Sequence, residues 1–320
     1  MKTTGMFYTA NREVELREFE IDEPDREEVQ IELKASALCA WDRALYEGML
    51  PEGATYPFLH GHEGVGIVRR VGSRVTGLEE GDKVTAMGNN SHLFGHIANV
   101  PADCVARLND DVEDYENWLA EPVACVMNGL EWCKIRPGDR IALVGTGFMG
   151  LIFAQGLVHS LAQKVIAMDI DETRLELART FGVDQVINLN TDQGQEAVDA
   201  LAEDPVDTMV ETAGVQAAFD LNYDILRRAG TLNLFSWHKH GDRRVDLGAW
   251  HGMGLKLYST SPSIAPDFAR IFARAVPMME KGVFDLKPLI THVMPVDKAP
   301  EMFDIAAEQE DGYIKGVLVW

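Results

Sequence analysis

Apolar and polar residues alternate along the first third of the chain. Val29, Ile31, Leu33 and Ala35 are interleaved with Gln30, Glu32 and Lys34, the two-residue period of a half-buried strand. Turn-forming triplets follow at Val71-Gly72-Ser73 and Glu80-Gly81-Asp82. Residues 1 to about 115 thus predict short strands with close turns, as in a small barrel or sandwich. From about Glu121 the texture changes. A helical stretch at 119–133 is followed by candidate strands at 140–144, 164–169, 208–211, 231–235 and 256–259, with amphipathic stretches such as 172–181 and 217–228 between them. Such alternation predicts an α/β domain with a doubly wound parallel sheet. Beyond residue 260 come a helix at 265–281, a strand-like 291–294, a helix near 299–308 and a β-like end at 315–320. There is no internal repeat.

The chain has 320 residues, too many for one ordinary core and comfortable for two domains. Its formal net charge of −22 disfavours nucleic acid and anionic lipid as partners. No stretch reaches the ~18 uncharged apolar residues of a membrane span. The N-terminus lacks the apolar core of a signal peptide. The four cysteines, Cys39, Cys104, Cys125 and Cys133, form no CxxC pair, so a disulfide framework is not expected and a cytoplasmic location is.

Gly145-Thr146-Gly147-Phe148-Met149-Gly150 follows an apolar strand and opens a helical run. GxGxxG in that setting is a dinucleotide fingerprint. Gly145 permits the tight turn, Gly147 lets backbone approach a pyrophosphate, and Gly150 lets helix and strand pack closely. Helix N–H groups and their partial positive charge then face the phosphates. Asp169 ends the next strand, 19 residues beyond Gly150. A carboxylate there accepts from the ribose hydroxyls and repels a 2′-phosphate, which favours NAD over NADP. Asp169 could instead cap the following helix, a role open to Asp171. Arg174 is a nearby cation, or simply a solvated helix residue.

Cys39, Asp42, His62, Glu63 and Glu121 are the candidates for metal chemistry. A thiolate, an imidazole and a carboxylate form a zinc set that leaves one position open. Each also has an ordinary structural reading, and their spacing is not a local zinc motif. The surrounding string, however, is Gly61-His62-Glu63-x2-Gly66-x5-Gly72-x2-Val75. With the dinucleotide fingerprint, it resembles the zinc-containing medium-chain dehydrogenase/reductase family, and specifically its polyol and threonine dehydrogenase-like branch, over essentially the whole length.

The resemblance implies a GroES-like catalytic domain at 1–121, a Rossmann domain at 122–260, and a return segment at 261–320 completing the first. It implies Cys39, His62 and Glu121 as ligands of one catalytic zinc, with Glu63 beside the metal and able to exchange with water. Asp42 would hold the His62 ring by its other nitrogen. It also implies a homodimer or homotetramer. Three departures stand out. The region 87–110 holds only Cys104, so no structural zinc is expected. Trp41 replaces the hydroxyl residue of a proton relay, and indole N–H only donates. Ala44 stands where some members have a His. Water, Glu63, His60 and Tyr46 remain as proton exits, while Trp41 could wall the substrate pocket or belong to the core.

Thr212 and Ala213 follow the strand at 208–211, and Phe235 and Ser236 close the strand at 231–235. Both loops could contact the nicotinamide half of the cofactor. His238, Lys239 and His240 are better read as an exposed polar loop. The expected activity is NAD-linked hydride transfer between a secondary alcohol or polyol and its ketone. The competitors are a zinc-free enone or quinone reductase of the same fold and a noncatalytic NAD-binding sensor.

Overall fold

The structure is a computed structural model and describes residues 1–88, 91–238, 241–262, 265–310 and 312–320. The chain divides into two compact units, Met1–Ala124 with Ala269–Trp320, and Cys125–Phe268.

The first unit opens with β1 (Lys2–Ala10), β2 (Glu13–Glu20) and β3 (Glu28–Leu38), then the short helix α1 (Ala40–Tyr46). It continues through β4 (Phe58–Leu59), β5 (Glu63–Val71), β6 (Lys83–Met87), β7 (Ile97–Pro101) and β8 (Val105–Arg107), and α2 (Ala120–Cys133) leads out of it. The apolar face of β3 builds a core of Val29, Ile31 and Leu33 with Val68, Val84, Ala98 and Val100. The alternation did not mark how central this strand is. Gln30, expected on a solvated face, is buried and donates to Asn99 Oδ1 (3.0 Å) and Asp22 O (3.2 Å). The amide NH2 thus keeps its partners on burial, while Oε1 is buried without one. β3 pairs antiparallel with β5 along one edge and with β7 over Glu28 to Glu32 on the other.

In the second unit the elements are β9 (Arg140–Val144), α3 (Phe148–Val158), β10 (Lys164–Asp169), α4 (Glu172–Thr180), β11 (Gln185–Asn188), α5 (Asp192–Glu203), β12 (Val206–Glu211), α6 (Gln216–Asp220), α7 (Asn222–Ile225), β13 (Leu226–Leu234), α8 (Leu247–Met253) and β14 (Lys256–Ser259). Among the described residues the strands form one six-stranded sheet in the order β11-β10-β9-β12-β13-β14, every pairing parallel. This is the doubly wound arrangement expected. The order reverses direction between β9 and β12, a switch point at which such sheets bind ligands. One expectation fails: 217–228 is not a single helix. Asn222 is fully buried, and its side-chain amide donates to Phe219 O (2.6 Å) and accepts from Trp250 Nε1 (3.0 Å). A side chain so engaged competes with helix propagation. The stretch breaks into α6 and α7, and β13 begins at Leu226, well before the expected residue 231.

The chain returns through α9 (Phe268–Glu280), β15 (His292–Pro295), α10 (Ala299–Glu308) and β16 (Gly316–Val319). β16 pairs antiparallel with the end of β3, Gly316 opposite Leu38. Phe303 and Met302 of α10 pack with Met6, Tyr8, Leu45 and Phe94 in a second core of the first unit. No described helix is long and apolar enough to cross a membrane.

Candidate active site

Strand register brings the metal candidates together. Ser36 of β3 lies opposite Gly64 of β5, so Cys39 and His62 emerge just beyond the same end of neighbouring strands. Gly61 sets the entry to β5. Its φ is +98°, and a Cβ there would stand 2.3 Å from Phe94 N, so only glycine fits. Backbone bonds from Phe94 N to His60 O (3.0 Å) and from Leu93 N to Gly61 O (3.0 Å) pin the strand entry.

Cys39 is the N-cap of α1. Its sulfur accepts from Trp41 N (3.1 Å), and its own N–H donates to Asp42 Oδ2 (2.9 Å), a reciprocal cap. Asp42 thus points back at the strand ends, where the same oxygen lies 3.7 Å from His62 Nδ1. The other imidazole nitrogen, Nε2, lies 3.8 Å from Glu63 Oε1. Cys39, His62 and Glu63 each present one ligand atom, all within 4.8 Å of one another. Asp42, His60 and His62 form a second such group.

The electrostatics of this cluster call for a cation. His62 Nδ1 and Asp42 Oδ1 are buried without a hydrogen-bond partner. Burial opposes charge on His62, yet Cys39, Asp42 and Glu121 outweigh it and raise its pKa well above the ordinary value. Burial pushes the Cys39 thiol up, against the pull of His62. A thiol and carboxylates crowding one imidazole suit a divalent ion such as zinc, with Nε2 as ligand and Asp42 steadying Nδ1. Glu121 sits in the first turn of α2, whose Ala120 N–H donates to Thr85 Oγ1 (3.2 Å). It acts on His62 as a charge, but its carboxylate is not among the groups whose ligand atoms lie within 4.8 Å.

Lys315 completes the cluster and was not singled out from the sequence. Its side chain is buried, with Nζ 2.8 Å from Glu63 Oε1 and 2.6 Å from Oε2. Burial would strip the ammonium of its proton, but Glu63 and Cys39 hold its pKa above the usual lysine value. The available signal was a lysine at the head of the apolar run Gly316-Val317-Leu318-Val319. Trp41 donates from its indole N–H to His60 Nε2 (2.9 Å). Burial lowers the His60 pKa, which favours the neutral ring that accepts this bond. Tyr46 is turned away from the cluster's chemistry: its hydroxyl donates to Asp304 (2.8 Å), and burial and that bond push its pKa up to about 12.

In the second unit, the glycine turn lies at the carboxyl end of β9. Gly145 has φ +99°, and a Cβ at Gly150 would meet Gly145 O at 2.0 Å, which explains the first and third glycines. In front of Gly147 there is open space, and no side chain caps α3 there. This suits a pyrophosphate at the helix start. Phe148 and Met149 are half-buried in the first turn. Asp169 Oδ2 accepts from Thr146 N (2.5 Å) and Thr146 Oγ1 (2.8 Å), while Oδ1 accepts from Ile170 N and Asp171 N. Asp171, not Asp169, caps α4, accepting from Thr173 N and Arg174 N. It also lies 3.5 Å from Arg174 Nε.

The two loops after β12 and β13 have distinct roles. Thr212 donates its hydroxyl toward Val144 O (3.0 Å) and Gly145 O (2.8 Å), and Ala213 backs Gly145, so both buttress the glycine turn. Phe235 packs edge-on against Phe153 of α3. Ser236 donates to the buried Glu211. His238 corrects the exposed-loop expectation: its Nε2 lies 3.2 Å from Glu211 Oε2, and the side chain is only 20% exposed. A buried carboxylate nearby holds the ring in. Lys239 and His240 lie outside the described residues.

Two family models match the chain: the alcohol dehydrogenase GroES-like domain over residues 25–109 and the zinc-binding dehydrogenase domain over 149–273. Together they span roughly two thirds of it. This chain belongs to the zinc-containing medium-chain dehydrogenase/reductase family. It is 25% identical to D-arabinitol dehydrogenase 1 of Uromyces fabae, with 96% of this chain and 95% of the relative covered. To an alcohol dehydrogenase of Cupriavidus necator it is 27% identical, with 98% of each covered. A zinc-binding dehydrogenase of Sinorhizobium meliloti solved with NADP has the same fold, at TM-score 0.88 and 20% identity over 100% of both chains. The protein is therefore an oxidoreductase with a GroES-like domain and a Rossmann-type domain, and its family's cofactors are zinc and a nicotinamide dinucleotide.

Proposed function

We propose that this dehydrogenase is an NAD-linked alcohol dehydrogenase that interconverts a secondary alcohol, foremost a polyol, and its ketone. The observation that carries the reading is the cluster of half-buried Cys39 with buried His62 and Glu63, and Asp42 on the far nitrogen of His62. Cys39, His62 and Glu121 would hold zinc, with Glu63 adjacent. Bound there, zinc would supply a Lewis acid for the substrate oxygen, and a nicotinamide would supply the hydride acceptor. The chain's own residues do the rest. Asp42 fixes the His62 ring. Lys315 holds the Glu63 carboxylate, and its charge limits the negative excess of the site. Position 41 cannot pass a proton on, because indole N–H only donates and is spent on His60. The proton exit therefore bypasses the position used by relatives with a hydroxyl.

Asp169 supports NAD rather than NADP. Thr146 holds its carboxylate at the end of β10, where it would accept from ribose hydroxyls and repel a 2′-phosphate. The D-arabinitol dehydrogenase relative supports a polyol as substrate class. We also expect a homodimer or homotetramer paired through the dinucleotide-binding unit, whose outer strand β14 leaves Leu257 exposed.

Elemental analysis of untagged protein purified without chelators, beside Cys39→Ser, tests the core of this reading. About one zinc per chain, lost in the variant, is expected for a single catalytic site. NAD turnover on a polyol panel should accompany it and vanish in Cys39→Ser. A well-folded wild type without zinc would overturn the mechanism and leave the zinc-free reductase or the NAD-binding sensor.

A further inference from the structure

Glu211 ends β12 fully buried, within the sheet that binds the cofactor, yet nothing in the chemistry above uses it. Its Oε1 accepts from Gly214 N (2.6 Å), and Oε2 accepts from Ser236 Oγ and faces His238 Nε2 at 3.2 Å. The guanidinium of Arg243 settles the His238 tautomer. Arg243 Nε donates to His238 Nδ1 (3.2 Å), and arginine has no acceptor, so Nδ1 carries no proton. The ring proton is then on Nε2, which lies 3.1 Å from Ser236 Oγ and 3.2 Å from Glu211 Oε2. Arg243 Nη2 also donates to Gly214 O (2.5 Å). The bonds close a ring through Glu211, Gly214, Arg243, His238 and Ser236. Gln216 exchanges two further bonds with the Arg244 backbone, 2.9 and 3.0 Å. Three loop segments, 212–216, 236–238 and 241–244, are tied to one buried carboxylate.

That knot sits at the carboxyl ends of β12 and β13, on the far side of the switch point from Asp169. With the adenosine ribose assigned to the β10 end and the pyrophosphate to the turn after β9, the ends of β12 and β13 remain for the nicotinamide half. We propose that His238 and Arg243, acting through Glu211, are positioning residues that hold the loop backbone at 212–214 and 235–237 in the conformation that orients the nicotinamide ring. This rests on the dinucleotide reading above. Neither side chain takes part in the chemistry. Preset loops matter because hydride transfer tolerates little misplacement of the reacting carbon.

The test separates the two halves of the cofactor. His238→Ala, His238→Gln, Arg243→Ala and Arg243→Lys are titrated calorimetrically with NADH and with ADP-ribose, which lacks the nicotinamide. Thermal unfolding confirms that each variant is folded. In the Ala variants the NADH Kd should rise about tenfold and kcat should fall, while the ADP-ribose Kd stays within about twofold of wild type. Arg243→Lys, which cannot span both His238 and Gly214, should behave like Arg243→Ala. NADH affinity within twofold of wild type in folded variants would overturn the proposal. Parallel loss of ADP-ribose affinity would also overturn it, by assigning the pair to sheet integrity. If wild type binds neither probe, the dinucleotide reading fails, and the positioning role with it.

Discussion

Lys315 and Glu63 are 252 positions apart in sequence and form a buried ion pair. Cys39, His62 and Glu63 were legible because a glycine-punctuated string surrounds the last two and strand register does the rest. Lys315 was not, since no local spacing reports a contact made by pairing β16 with β3. The pair predicts an asymmetric mutational result. Lys315→Met leaves a carboxylate buried beside Cys39, so in chelated protein it should cost about 3–5 kcal/mol. Glu63→Gln combined with Lys315→Met should recover most of that, because the orphaned charge goes too. Urea denaturation of the three proteins measures it, and a single variant within about 1 kcal/mol of wild type would contradict the pairing. The pH dependence has a definite sign. The Lys315 pKa is raised in the folded state, so the pair's contribution is complete below the unfolded value near ~10.4 and is lost as pH rises through the folded value. Neutral buffers leave it intact.

At the scale of elements, β9 and β10 were legible almost to the residue, because buried parallel strands are short apolar runs closed by turn chemistry. β11 was missed. Its four residues at the sheet edge, Gln185–Asn188, are too few to display a period. The α6–α7 break was also invisible, since it depends on which groups Asn222 meets once buried. Helix α4 resolves an ambiguity that the sequence left between two aspartates. Asp171 caps it, so Asp171→Ala should cost about 1 kcal/mol of stability and leave NAD binding nearly unchanged. Asp169→Ala should weaken NAD about tenfold or more relative to NADP, and it should also lower stability, because its carboxylate accepts from the Thr146, Ile170 and Asp171 N–H groups. Parallel thermal melts and NAD and NADP titrations of the two variants measure this. If Asp171→Ala proved the more damaging to NAD affinity, the ribose assignment would belong one turn further along.

For the whole molecule, 51 acidic residues face 29 lysines and arginines. Many of the cations already sit beside acids on the surface, as in Arg17 with Glu15, Arg70 with Glu23, Arg74 with Glu27 and Arg179 with Glu176. Exposed pairs of this kind are each worth about 0–1 kcal/mol, and salt weakens them. The acids in excess repel one another, and salt weakens that as well. The two effects oppose each other, and the imbalance of 22 charges lets repulsion win. Melting temperature should therefore rise by roughly 1–2 °C between low salt and ~0.5 M NaCl, equivalent to about 1 kcal/mol for a protein of this size. Its shape distinguishes screening from salting-out. Screening should deliver most of the gain by ~0.15 M, where the Debye length has shrunk to about 8 Å. Burial strengthened by salt exclusion would instead keep climbing, and sulfate would outdo chloride at equal ionic strength. A fall in melting temperature over the first ~0.15 M would mean that the surface pairs outweigh the repulsion. The acidic excess would then serve solubility at no cost to stability.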